Sequence, residues 1–233
     1  MMIDMIENNI FRIRVPFENF TTSVYIYRCE QGVAIIDTAT YSSDVDEYIL
    51  PALEKLNIPV ENVKFILLSH EHHDHVGGLG RLSKVMINAR VGAAFDVVDD
   101  SLRLEDNMNI IGNLLAVALP GHTYSSFGFF DTESRTLLSA DCLQLDGVDK
   151  YRNGVCDVPL YIASMEKLIS MGIARIVAAH DYIPLGSIAE GSEAVEHYLN
   201  ECIRISQEQY SKKRHKSQKH LFYFIHFDIS VIM

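Results

Sequence analysis

The sequence predicts an α/β layered fold, two sheets covered by helices. Three observations lead there. Short apolar or alternating segments outnumber helical ones, strands and helices are interleaved along the chain, and 233 residues at 48% hydrophobic can bury a sizeable core. At roughly 150 residues per domain, this length fits one large domain or two small ones.

FRIRV (11–15) alternates and reads as a strand. SVYIYR (23–28) and GVAIID (32–37) flank a Cys-Glu-Gln turn, the pattern of a hairpin. Asp44 is placed to cap a helix through VDEYILPALEKL, with Val45, Tyr48, Ile49, Ala52, Leu53 and Leu56 on one face. Pro51 should kink that helix or split it. KFILLS (64–69) is a continuous apolar run too short for a helix, hence a buried strand. After Gly77-Gly78 the pattern predicts a short helix, a strand at KVMIN (84–88) and a helix at VGAAFDVVD (91–99). NLLAVAL (113–119) is a strand stopped by Pro120-Gly121, and SFGFFDT and RTLLSAD form a hairpin through Thr132-Glu133-Ser134. Residues 142–160 read as irregular. A helix at YIASMEKLISMG, a strand at ARIVAAH and a helix from about Glu190 to Ser206 follow.

Composition narrows the class. Charged residues make up 22%, with only 6 Pro and 13 Gly, which excludes disordered and fibrous chains. The net charge of −11 opposes a nucleic-acid partner, since phosphate contacts need clustered Lys and Arg. Cys29, Cys142, Cys156 and Cys202 form no CxxC pair, which suits a reducing compartment. No signal peptide or run of about 20 apolar residues is present, so a cytoplasmic protein without a membrane partner is expected. Residues 211–233 stand apart, basic in SKKRHKSQKH and apolar in LFYFIHFDISVIM. They read as a docking strand or a disordered end, and the apolar part offers a homodimer contact.

The chemistry concentrates in Ser69-His70-Glu71-His72-His73-Asp74-His75-Val76-Gly77-Gly78. Residues two apart in an extended segment point the same way, so His70 and His72 can grip one ion. Asp74 and His75 lie just beyond, placed for a second ion, and the two glycines let the backbone turn tightly. Packing these ionisable groups together would be costly unless positive charge shared them. Imidazole and carboxylate ligands without thiolate suit Zn²⁺, Fe or Mn²⁺.

The segment resembles the His-x-His-x-Asp-His signature of the metallo-β-lactamase superfamily, read as His70, His72, Asp74 and His75. Pro120-Gly121-His122-Thr123, Leu138-Ser139-Ala140-Asp141 and Ile176-Val177-Ala178-Ala179-His180 match its later motifs in order, so the resemblance spans roughly residues 10–205. It implies a four-layer αββα sandwich over residues 1–210. It also implies two divalent ions, zinc first, with iron or manganese as alternatives. His70, His72 and His122 would hold one ion, Asp74, His75 and His180 the other, with Asp141 bridging. By alternation Glu71 and His73 should point away. The implied chemistry is hydrolysis by a hydroxide shared between the ions, with Asp74 orienting it and taking its proton.

The same resemblance points to a small thioester, ester or lactone, acyl or anionic in character. Asp141 stands where true zinc β-lactamases usually place a Cys, which argues against that activity. Glyoxalase II and lactonase-type members are nearest in ligand set, although lactonases carry Tyr where this chain has Gln144. The alternatives are a phosphodiesterase or nuclease on the same ions, and a mononuclear iron persulfide dioxygenase. Candidate substrate contacts are Gln144, Lys150 and Arg152 in the loop after Asp141, with Tyr124 and Tyr182 beside ligands.

Overall fold

The computed structural model describes residues 2–145 and 154–227, with side chains described through residue 211. Among these, β1 (Met2–Glu7), β2 (Ile10–Phe17), β3 (Phe20–Cys29), β4 (Gly32–Ile36), β5 (Val63–Leu67), β6 (Arg90–Ala93) and β7 (Leu102–Arg103) form one sheet in that order. The second sheet holds β8 (Met108–Ile111), β9 (Leu114–Ala118), β10 (Phe127–Asp131), β11 (Thr136–Ala140), β12 (Arg175–Tyr182) and β13 (Gly186–Glu190). Its spatial order runs β13-β12-β11-β10-β9-β8. The first four strands are antiparallel neighbours, whereas β4 to β7 run parallel.

Alternation builds the layers. On β3 and β4, Val24, Ile26, Val33 and Ile35 face one core, and Tyr25, Tyr27, Ala34 and Ile36 face another. After α1 (Ser42–Asp44), the π turn Val45–Ile49, α2 (Leu50–Lys55) and α4 (Leu79–Val85) cover the first core. The second lies between the sheets, where Phe129, Leu138 and Val177 meet Tyr25 and Ile36. A third, under α5 (Val158–Ser170) and α6 (Ser192–Phe227), covers the outer face of the second sheet. The architecture is therefore the expected four-layer αββα sandwich. The short α3 (His73–Val76) lies at the sheet ends.

Hydroxyls on β3 tie the sheets together beside the site. Ser23 Oγ donates to Ala179 O at 2.7 Å and Tyr25 Oη to Val177 O at 3.2 Å. The β12 ladder with β13 is irregular between Val177 and Tyr182, in the stretch that carries His180.

Pro51 divides its helix as expected, standing in the first turn of α2 after the π turn at Val45–Ile49. Several other local expectations change. Residues 84–88 are not a strand: α4 runs to Val85 and Met86 N closes it on Leu82 O. The strand is β6, because Ile66 and Leu67 of β5 pair with Val91 and Gly92, and this sheet contact overrides the helical pattern of 91–99. Strands β1, β7, β8 and β13 were not foreseen. The terminal helix also outruns Ser206, its backbone continuing to Phe227 where a docking strand or a disordered end was expected. No Gly or Pro occurs between residues 192 and 227 to stop it. No described helix is long and apolar enough to cross a membrane.

Candidate metal centre

Each predicted ligand leaves a strand end at the same edge of the sandwich. β5 ends at Leu67, and residues 68–72 lead into α3 through bends at Ser69 and Glu71, so His70 and His72 precede the helix and Asp74 and His75 lie on it. A Cβ at Gly77 would sit 1.8 Å from Thr40 O, and one at Gly78 2.1 Å from Thr38 O. Only glycine lets the end of α3 close on residues 38–40. The strands β9, β11 and β12 deliver His122, Asp141 and His180 to the same place. Ala140 (φ 46°) at the end of β11 and Asp37 (φ 63°) just after β4 hold left-handed backbone, the kind of strain that packed functional sites retain.

Two groups result, His70 with His72, His122 and Asp141, and Asp74 with His75, Asp141 and His180. Within each, the potential ligand atoms lie within 4.8 Å of one another. All seven predicted ligands are thus brought together, with Asp141 common to both groups. His180 Nε2 lies 3.1 Å and His75 Nε2 3.4 Å from Asp141 Oδ1, while His122 Nε2 lies 3.7 Å from Asp141 Oδ2.

The outward ring nitrogens are tied down. His75 Nδ1 meets Asp37 Oδ2 at 2.7 Å, His180 Nδ1 meets Thr21 O at 2.8 Å, and His122 Nδ1 meets Gly154 O at 2.9 Å. A carbonyl can only accept, so His180 and His122 carry their proton on Nδ1 and leave Nε2 as a lone pair facing inward when a metal is bound. His72 is turned the other way, with Nδ1 2.9 Å from His122 Nε2. Thr22 Oγ1 donates to Asp74 Oδ2 at 3.2 Å.

Divalent cations fit this donor set. His70 Nε2, His75 Nε2 and Asp141 Oδ1 are buried without a hydrogen-bond partner, an arrangement that costs free energy unless a ligand-binding centre completes it. In the protein alone, protons take that place in the second group. Burial opposes charge on His75, but Asp141, Asp37 and Asp74 hold its pKa well above the ordinary histidine range. Burial opposes charge on His180 too, yet Asp141 and Asp74 push it up to about 10. Burial would raise the carboxyls of Asp74 and Asp141, but His75 and His180 hold both well below the usual carboxylate range. In the first group burial dominates and lowers His70 and His122, keeping them neutral.

The remaining candidates separate. Gln144 is 4% exposed, and its amide is engaged by protein groups. Tyr182 is buried, its ring edge-on to His180 at 5.7 Å. Tyr124 is 72% exposed beside His122. Lys150 and Arg152 lie outside the described residues. Glu71 and His73 lie outside both groups, as expected, although His72 is exposed too and His73 already begins α3: Glu71 accepts from Thr123 and Ser125, and His73 stacks edge-on with Tyr41. Asp181 turns to Arg14 and Ser187.

Sequence reasoning missed Asp37. Besides orienting His75, it accepts from Ser69 N and Ser69 Oγ, both at 2.8 Å. Its signal was available: a carboxylate closing the fully apolar run of β4 needs a buried partner. The carbonyls of Thr21 and Gly154 left no comparable trace, because every residue has one.

Fold and cluster together define an αββα protein with a two-cation centre at the strand ends. Residues 18–92 match the family model described as the metallo-beta-lactamase superfamily. Over this segment the chain is similar to that superfamily. A beta-lactamase-like protein 2 homolog of Caenorhabditis elegans is 23% identical over 83% of this chain and 68% of its own. A hydroxyacylglutathione hydrolase of Rhodopseudomonas palustris (strain BisB18) is 33% identical over 62% of this chain and 58% of its own. The chain thus spans about three-fifths to two-thirds of the length of these curated relatives. A metallo-β-lactamase family protein from Thermus thermophilus shares the fold, with TM-score 0.68 at 19% identity over 88% of this chain and 82% of that one.

Proposed function

We propose that this protein is a metal-dependent hydrolase of small thioesters, esters or lactones. His70, His72 and His122 hold one divalent ion, Asp74, His75 and His180 hold the other, and Asp141 serves both. Zinc is the first choice of ion, with iron or manganese compatible with the same donors. When bound, such a pair supplies a water acidified to near neutral pH and a Lewis acid for the carbonyl oxygen.

The chain's own residues do the rest. Asp74, kept ionised, accepts a hydrogen bond from the attacking water and orients it. Asp37, Thr21 O and Gly154 O fix the imidazoles so that little reorganisation accompanies the reaction. His72 and Tyr124 are exposed and mark the side from which an acyl substrate approaches. The hydroxyacylglutathione hydrolase relative supports a thioester as the substrate class.

The observation that carries this reading is the convergence of buried, partnerless His70 Nε2, His75 Nε2 and Asp141 Oδ1 in the two adjoining groups. The test joins elemental analysis of purified protein to a panel of thioesters, lactones and bis-p-nitrophenyl phosphate. Nearly two metal equivalents and chelator-sensitive acyl cleavage are expected. Protein that binds no metal from excess Zn²⁺, Mn²⁺ or Fe²⁺ would overturn the reading. Faster phosphodiester cleavage would reassign the substrate, and one iron with O₂ consumption on a thiol persulfide would reassign the reaction.

A further inference from the structure

Gln144 lies three residues beyond Asp141, and its side chain connects three arms of the centre. Its Nε2 donates to Asp141 O and to Tyr182 Oη, both at 2.9 Å. Its Oε1 accepts from Gly154 N at 3.4 Å. Asp141 is the carboxylate common to both groups, Tyr182 follows His180 by two residues on β12, and Gly154 O holds His122 Nδ1. These arms come from separate parts of the chain. The Gln144 amide touches all three.

The main chain of Gln144 is pinned as well. Its N–H donates to Tyr161 Oη at 2.6 Å, and that hydroxyl donates to Gln144 O at 3.1 Å. Tyr161 also packs under the turn that carries His122: a Cβ on Gly121 would fall 2.4 Å from Tyr161 Cα. Backbone and side chain of one residue are thus both held in fixed positions beneath the cluster.

We propose that Gln144 is a positioning residue that sets the mutual placement of His122, Asp141 and His180. The inference rests on the metal-hydrolase reading above. The chemistry explains the residue type. The position needs two donors and one acceptor on a planar, uncharged group, which is what a primary amide offers. Glutamate offers no donor when ionised and adds charge beside Asp141. Methionine fills the space without hydrogen bonds, and asparagine is one methylene short of spanning the arms. Both amide protons are spent on protein oxygens, so Gln144 acts on the reaction through the ligands.

The experiment compares the wild type with Gln144→Met, Tyr182→Phe and the double variant. Each is loaded with Co²⁺ for its visible ligand-field spectrum, and metal affinity is measured by competition with a chromogenic chelator. Gln144→Met should lower affinity about 10–100-fold, the usual cost of losing a group that orients metal ligands, and should shift the Co²⁺ bands. On a thioester that the wild type cleaves, kcat should fall while KM changes little. Tyr182→Phe should move spectrum and affinity the same way by less, and adding it to Gln144→Met should cost less than the sum of the two.

A wild-type spectrum and affinity in Gln144→Met would overturn the proposal, as would a rise in KM alone, which marks direct substrate contact. Additive effects in the double variant would also overturn it. If Gln144→Met does not fold, Tyr182→Phe decides: shifted Co²⁺ bands support the proposal and unchanged bands refute it. A wild type that takes up no metal would instead sink the hydrolase reading, a distinct failure.

Discussion

His70, His72 and His122 stand on two chain segments leaving strand ends, with His72 exposed and His70 and His122 kept neutral by burial. Asp74, His75 and His180 sit in a web of charge, where Asp37 orients His75 and Thr22 donates to Asp74. One half offers neutral imidazoles and an open side. The other offers carboxylates whose partners are imidazolium ions until a metal replaces the protons. A single shared carboxylate, Asp141, thus joins a half suited to admitting substrate to a half suited to holding charge.

The most severe challenge to this division is to remove what the halves have in common. Asp141→Ala should deplete both, with metal content falling well below two equivalents. Turnover should drop by more than the roughly 10–100-fold that loss of an orienting partner costs. Full activity with two ions retained would show that the halves do not depend on a common ligand.

Asp37→Asn should separate them. It preserves shape but removes the charge behind His75, so affinity of the Asp74/His75/His180 half should fall about 10–100-fold while the other half is spared. Metal competition titrations that resolve two binding steps would register this. Equal weakening of both steps would contradict the division.

Proton linkage offers a finer measure of the same contrast. His180 is raised to about 10, so a metal entering that half displaces a proton at any pH below this value. Affinity there should rise as pH increases toward 10, about tenfold per pH unit for each proton displaced. His70 and His122 of the other half, both lowered from the ordinary value, should release no protons above about pH 6.5. Calorimetry in buffers of different ionisation enthalpy would count the protons, and equal release from both steps would refute the assignment.

The smallest effect should come from a histidine inside the motif. His73 is exposed and contacts Tyr41 rather than the cluster. His73→Ala should therefore keep the wild-type metal stoichiometry and change stability by less than about 0.5 kcal/mol in a chemical denaturation curve. Loss of an ion would show that His73 belongs to the centre.

How much of this could be read in advance depends on distance along the chain. The motif from His70 to His75 is local, and alternation alone separates His70 and His72 from Glu71. The hairpin at Thr132-Glu133-Ser134 and the stop at Pro120-Gly121 were legible because turn residues act where they stand. Strand β6 was not, because its conformation comes from pairing with β5, and Gly92 has little preference of its own. Nor was the length of α6, since a basic stretch without Gly or Pro is compatible with helix as well as with disorder.

The order of residues alone is enough to specify the donor set, because ligand identity resides in side chains and each ligand follows an apolar strand that announces its own end. How those donors are aimed depends on packing. Asp37 reaches His75 across 38 residues and Thr21 O reaches His180 across 159. Gln144 becomes a connection between arms only when β11 and β12 lie side by side. Backbone carbonyls carry no residue identity, and a hydrogen bond between distant strands exists only after the sheets have packed, so neither leaves a local pattern to read.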